Sequence, residues 1–181
     1  QAHLTNRLYR DLRRWGLGQA FTMCPTAYCG APGQAYVQKL GRLVDKGVLV
    51  FWTGPDVCST ALTVEHTRAI SRSLRRPVLY WDNYPVNDSV MSFEAHLGPY
   101  ANREAGLHRH CAGIIANPAL GAESSKIALH TIAEYLRDPA GYDPSAAWTG
   151  AIKAVAGAGA EAFRRFADHC WKSCLYRDEA L

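Results

Sequence analysis

Apolar positions along the chain recur in two rhythms, one helical and one strand-like. Residues 4–15 place Leu4, Leu8, Leu12 and Trp15 three or four apart with arginines between them, which predicts an amphipathic helix. Gly16 and Gly18 end it, and the apolar run 20–24 reads as a short strand stopped by Pro25. Tyr36, Val37, Leu40, Leu43 and Val44 then return at helical spacing up to Gly47. The run 48–52 is a second strand closed by Thr53-Gly54-Pro55, and a helix over 63–74 carries Val64, Thr67 and Ile70 on one face. Pro77 opens a third strand, 78–81, which runs into the polar stretch 82–88. A long loop leads to a fourth strand at 112–116, ended by Asn117-Pro118. A helix over 123–136 follows, with Ile127, Leu129, Ile132 and Leu136 inward. Asp143-Pro144 is an N-cap with proline at the first helical position, and it opens helices at 144–156 and 160–176 broken by Gly157 and Gly159.

Strand starts near 19, 48, 78 and 112 have the spacing of strand–helix units with right-handed crossovers, which implies an α/β fold with parallel strands. All four strands are continuous apolar runs, as a sheet buried on both faces requires. A doubly wound sheet would also fit, yet no glycine-rich turn follows the first strand. A whole (β/α)8 TIM barrel needs eight strands and about 250 residues. Four strands followed only by helices therefore read as half a TIM barrel over 1–142, with a helical region starting at 143–181. The Ala-Gly-Ala-Gly-Ala stretch around Gly157 has no strand before it and no lysine after it, so it is a helix break and no phosphate loop.

Composition narrows the picture further. With 48% hydrophobic, 20% charged and 10% aromatic residues among 181, the chain is ordinarily globular, which excludes disordered, collagen-like and coiled-coil classes. No apolar run approaches the ~20 residues of a membrane helix, so no membrane partner is expected. Twenty Lys and Arg against sixteen Asp and Glu give +4, too mild a balance to imply a nucleic acid. The densest basic run, Arg7, Arg10, Arg13 and Arg14, reads as a solvated helix face. Six cysteines, at 24, 29, 58, 111, 170 and 174, include no CxxC pair, so reduced thiols in a cytoplasmic protein fit best. The start, Gln1-Ala2-His3-Leu4, has no signal-peptide character and no methionine, and reads as a piece of something longer.

Candidate chemistry collects just after the strand ends: Thr26 and Tyr28, then Thr53 and Asp56, then Asn83, Tyr84, Asn87 and Asp88, and finally Asn117. In parallel α/β barrels that rim carries the active site. Hydroxyls, amides, one or two carboxylates and a tryptophan suit a sugar or polyol, which needs directional hydrogen bonds and a flat apolar face. His108-Arg109-His110-Cys111 invites a metal reading, but zinc wants a closed set of three or four ligands and no paired cluster exists elsewhere, so neither metal nor cofactor is expected. His66 and His130 lie on helices and read as surface or satisfied histidines. Asp88 could instead cap a following turn, Asn117 could merely end its strand, and Trp81 could be core filler.

The motif Trp81-Asp82-Asn83-Tyr84-Pro85-Val86-Asn87-Asp88 resembles the signature of glycoside hydrolase family 84, the O-GlcNAcases and bacterial β-N-acetylglucosaminidases. Cys24-Pro25-Thr26-Ala27-Tyr28, Trp52-Thr53-Gly54-Pro55, Leu97-Gly98-Pro99-Tyr100, Ile115-Ala116-Asn117-Pro118 and the segment from Ala122 through Tyr135 are similar to further family motifs, in family order over about residues 1 to 150. The resemblance implies a retaining, substrate-assisted hydrolase. The 2-acetamido oxygen of N-acetylglucosamine attacks the anomeric carbon to give an oxazoline, while two adjacent aspartates polarise the acetamide and supply the acid and base. No Asp-Asp occurs in these 181 residues, and the match places that pair upstream of Gln1, the four strands here being the fifth to eighth of the barrel.

By the same resemblance, Tyr28 hydrogen-bonds near the reacting centre, Trp81 lines the acetamido pocket and Asn83 helps position the acetamide. Asp88 and Asn117 hold ring hydroxyls, and Cys24 and Val57 fall at pocket-wall positions. Asp82 is structural, since the family acid lies on another strand. Ser89 departs from the family, where an aromatic is common. The expected partners are an N-acetylglucosamine-bearing glycan or glycoprotein and a missing N-terminal half-barrel. Open sheet edges also predict poor solubility of the isolated chain or a homodimer that closes the ring. Two other readings stand beside this one: a carbohydrate-binding half-barrel without catalysis, and a zinc or redox protein.

Overall fold

A computed structural model describes residues 1–17 and 20–171. The predicted start of the first strand at 19, the end of the last helix and Cys174 lie outside the described residues. The chain forms two compact units, Gln1–Asp82 with Gly106–Ile115, and Asn83–Ala105 with Ala116–Leu181.

The first unit contains helix α1 (Ala2–Arg14), strand β1 (Thr22–Met23), α2 (Ala35–Leu43), β2 (Leu49–Trp52), α3 (Val64–Leu74) and β3 (Val78–Asp82). Strand β4 (Cys111–Ala116) completes a four-stranded sheet in the order β1-β2-β3-β4, as the strand spacing predicts. Thr22 and Met23 sit opposite Leu49 and Val50, and Phe51 and Trp52 opposite Leu79 and Tyr80, both pairs parallel. Side chains alternate across a strand. Val50, Trp52, Val78 and Tyr80 therefore join Val37, Leu40, Ile70 and Leu74 in one core, while Phe51 and Trp81 point the other way. Inside that core the Tyr80 hydroxyl lies 2.8 Å from Thr67 Oγ1, and burial pushes the phenol up to about 12.

Two elements are buried differently from what their apolar patterns suggest. Helix α1 forms, but it buries Thr5 and Tyr9, whose ring stacks on Phe21, while Leu4, Leu8 and Trp15 stay 61%, 46% and 72% exposed. The leucine stripe is an apolar face that stays largely exposed, with Leu12 partly covered. Strand β4 is not buried on both faces either: Ala112 and Ile115 are exposed, because β4 stands at an edge of the sheet.

The Trp52 indole donates to His66 Nε2 at 3.1 Å, so His66 is a satisfied neutral acceptor, and burial lowers its pKa despite the opposing pull of Asp56. A lowered folded pKa makes the sign definite. Stability is complete above the unfolded value of about 6.5 and falls as pH drops below it, because the unfolded imidazole takes up a proton first. Urea midpoints measured from pH 7.5 down to 5 are expected to decline, and His66→Gln, which cannot titrate, to reduce that slope.

The second unit packs α4 (Ala122–Arg137), α5 (Pro144–Ala156) and α6 (Ala160–His169) around Leu97, Ile127, Trp148, Ile152 and Ala167. Asp143 caps α5 through Ala146 N at 2.8 Å with Pro144 following, as read from sequence. On α4, Ile127 and Ile132 are buried, but Leu129 and Leu136 are exposed; Ala128, Thr131 and Tyr135 take the inward stripe instead. At 100° per residue, 129 and 136 share a flank that Ile127 does not. His130 is not satisfied as expected: its Nδ1 is buried without a hydrogen-bond partner among the described residues. No helix among the described residues is long and apolar enough to cross a membrane.

Candidate functional site

In the first unit, the turn after β2 determines where Tyr28 sits. Thr53 N donates to the Tyr28 carbonyl at 2.8 Å and Gly30 N to the Gly54 carbonyl at 3.0 Å, so the strand pairing continues into the loop after β1. The Thr53 hydroxyl is spent on Asp56 O at 2.7 Å, and Ser59 Oγ accepts from Asp56 N at 3.1 Å. Thr53, a rim candidate by sequence, is therefore a builder of the turn through its side chain, whereas Asp56, the other, takes part through its main chain and its side chain is exposed. Tyr28 itself is half-buried, while Cys24 and Val57 are exposed on their loops.

Gly54 makes this turn possible. Its φ is +115°, and a Cβ there would stand 2.2 Å from Ser59 Oγ and 2.7 Å from the buried Leu62 Cδ2. Gly54→Ala is expected to cost about 2–4 kcal/mol, from a forbidden backbone region plus overpacking, as a lowered midpoint in chemical denaturation.

Trp81 is half-buried on the face of β3 opposite Tyr80, and meets Phe51 edge-on with centroids 5.2 Å apart. It is half-buried rather than sealed in the core. The neighbouring Asp82 is 1% exposed, which fits the structural role read for it.

In the second unit the polar stretch continues. Asn117 Nδ2 donates to Asn83 Oδ1 at 2.9 Å, which ties the loop after β4 to the loop after β3. Asn87 makes a second tie between the same loops: its Nδ2 donates to Glu94 O and its Oδ1 accepts from Leu120 N, both at 2.8 Å. Asp88 is exposed and precedes a 3-10 turn, Ser89–Met91, yet its carboxylate makes no capping bond to that turn. The capping alternative for Asp88 therefore has no bond behind it. Ser89 holds φ at +52°, in the left-handed region.

Two further anchors brace the loop, the first of them not visible in the sequence. His96 is buried with Nε2 2.7 Å from Glu94 Oε2 and Nδ1 3.2 Å from the Pro85 carbonyl, so one ring spans both ends of the 85–94 loop. Leu97-Gly98-Pro99-Tyr100 closes that loop: Leu97 O accepts from the Trp148 indole, Gly98 O from Tyr84 Oη at 2.6 Å, and Tyr100 N donates to Thr131 Oγ1 at 2.9 Å. A histidine two residues past a glutamate carries no periodic signal, so only the folded loop discloses the pair.

The structure thus joins Asn83 to Asn117 directly, keeps Asp88 on the same braced loop, and sets Tyr28 and Trp81 in the first unit. Cys24, Cys29, Cys58, Cys111 and Cys170 are free thiols. Among the described residues no group of three or more His, Cys, Asp or Glu is placed to hold a metal ion.

A family profile described as beta-N-acetylglucosaminidase matches residues 1–168. The curated protein O-GlcNAcases of Rattus norvegicus and Mus musculus are each 32% identical over 143 residues, which cover 76% of this chain and 15% of theirs. Among solved structures, a mutant O-GlcNAc hydrolase of Thermobaculum terrenum is 40% identical with a TM-score of 0.94, over 99% of this chain and 39% of its own. CpGH84B is 29% identical with a TM-score of 0.88, over 95% of this chain and 32% of its own. The chain therefore spans well under half the length of each of these relatives.

Proposed function

Because the chain belongs to the beta-N-acetylglucosaminidase family, family 84 of the glycoside hydrolases, and its four parallel strands form part of a (β/α)8 barrel, we propose that it supplies the sugar-holding side of an active site that removes N-acetylglucosamine. The mechanism is retaining and substrate-assisted. The acetamido carbonyl oxygen attacks the anomeric carbon as the glycosidic bond breaks, and the leaving oxygen takes a proton from a general acid. The resulting oxazoline is opened by a water molecule that the same group deprotonates. The acid and its neighbouring aspartate lie on a segment preceding Gln1.

The observation that carries this reading is the Asn117–Asn83 hydrogen bond on a loop pair braced again by Asn87. Binding a flexible, heavily hydrated sugar needs partners whose own positions are already fixed, since ordering them at the moment of binding costs affinity. Asp88 and Asn117 accept and donate to ring hydroxyls, and the charge on Asp88 makes its bonds the stronger. Asn83 positions the acetamide and Trp81 covers its methyl, so the carbonyl reacts in a drier, lower-dielectric setting where its polar contacts are stronger. Tyr28 donates near the reacting centre, with Cys24 and Val57 as pocket wall.

We also assign the exposed leucine face of α1 and the sheet edges β1 and β4 to the missing N-terminal half-barrel; the segment from 143 begins a helical extension. The isolated 181-residue chain should then self-associate in sedimentation, whereas a protein carrying the upstream strands should not do so through these surfaces.

The test is a full-length enzyme containing the aspartate pair, given a chromogenic N-acetylglucosaminide and an oxazoline mimic. Hydrolysis, with the mimic lodged against Trp81, Asp88 and Asn117 in the complex, supports the reading. Binding without release of N-acetylglucosamine would leave the carbohydrate-binding reading in its place, and no binding would reject both.

A further inference from the structure

Between α2 and α3 in the first unit lies an open groove of about 410 Å3 whose charged lining is all of one sign, the exposed Arg42, Arg72 and Arg75, with no carboxylate on its wall. Its neutral polar groups are already occupied with one another. Ser73 Oγ accepts from Gly33 N at 3.2 Å and donates to Ala69 O at 3.2 Å, and Gln38 Nε2 donates to Gly33 O at 3.1 Å. The three guanidiniums have no ion-pair or side-chain hydrogen-bond partner among the described residues, whereas Arg14, Arg137 and Arg165 each pair with an acid on their own helix.

Helix ends explain part of this pattern. Arg42 and Arg72 occupy the last turns of α2 and α3, where a cation complements the helix dipole. That effect gives no reason for both to face one groove, nor for the third. Arg75 holds φ at +57°, the left-handed position after a helix that glycine normally fills. An arginine there accepts backbone strain and adds a third positive charge to the groove.

We propose that this groove binds a small phosphorylated ligand. Guanidinium forks match phosphate oxygens two at a time, and three of them suit a group with two or three negative charges better than a single carboxylate. The volume lies within the range of small-molecule sites and leaves room for an organic portion beyond the phosphate. The site does not depend on the sugar-holding role proposed above.

Titration of the full-length protein with pyrophosphate and with inorganic phosphate, at ionic strength held constant with chloride, tests it by calorimetry. Saturable binding is expected, and Arg72→Gln with Arg75→Gln should weaken it at least tenfold. Arg75→Gly separates binding from folding: it removes a guanidinium and relieves the left-handed backbone, so the protein should melt no lower while binding weakens. Arg14→Gln should change nothing. A response equal to that of added chloride, binding unchanged in the arginine variants, or an equal loss with Arg14→Gln would each overturn the assignment.

Discussion

Asp88→Ala in the full-length enzyme is expected to lower kcat/KM for an N-acetylglucosaminide by about 10²- to 10⁴-fold. The size follows from the bonds at stake. A hydrogen bond to a charged group contributes about 1.5–3 kcal/mol, a carboxylate can hold two sugar hydroxyls, and 1.4 kcal/mol is tenfold in rate. Asp88→Asn keeps the shape and one acceptor but loses the charge, so it should fall between alanine and wild type. Stability is the control that separates function from architecture. The Asp88 side chain is exposed and caps nothing, so Asp88→Ala should leave the melting free energy within about 0.5 kcal/mol. A stability loss near 1 kcal/mol with activity intact would restore the capping role that the sequence left open.

Asn117 and Asn87 should behave differently, because their side chains bond to protein. Replacing either removes a tie between the two loops, so binding and local order should fall together. This contrast explains how much of the site the sequence could disclose. The type and order of the residues after each strand pointed to polyol chemistry, and the family motifs narrowed it to an acetylated amino sugar. Nothing in a linear pattern separates an asparagine that faces a ligand from one that staples two loops, since both are polar residues in a polar stretch. Asn87 and Asp88 are adjacent and read alike, yet one is anchored at both ends of its amide.

The fold was legible where local chemistry decides it. Asp143 caps α5 through its own side chain, as its residue type and the following proline implied, and Thr63, where the helix over 63–74 was placed, caps α3 in the same way. Legibility failed where burial depends on what stands opposite. The leucines of α1 have the spacing of a core face, but the chain folds Tyr9 inward beside Gly47, where a Cβ would stand 2.0 Å from the Tyr9 hydroxyl. Strand β4 has the composition of a buried strand and the exposure of an edge, because a strand's neighbours are not encoded in its own residues.

Arg76 is the extreme case, and its replacement carries the largest expected effect on stability. In sequence it is one of two arginines after a helix, indistinguishable from a solvated charge. In the structure it is 8% exposed and its guanidinium is consumed by main-chain carbonyls: Val44 at 2.8 Å, Leu74 and Val48 at 3.0 Å, Gly41 at 3.4 Å, and Asp45. Gly41 lies in the last turn of α2, Val44 is its C-cap and Leu74 ends α3, so one side chain satisfies carbonyls at two helix ends and joins them to Val48, just before β2. Burial pulls the guanidinium pKa down and Asp45 holds it up, with the cation retained throughout the physiological range. Arg76→Ala strands several buried acceptors at once and should cost about 3–5 kcal/mol in urea unfolding. Arg76→Lys keeps the charge, but an ammonium has three donors against five and no planar fork, so it should recover only part of the loss. A cost below about 1 kcal/mol for alanine would mean that water reaches these carbonyls, and the hub would then be incidental to the packing of α2 on the sheet.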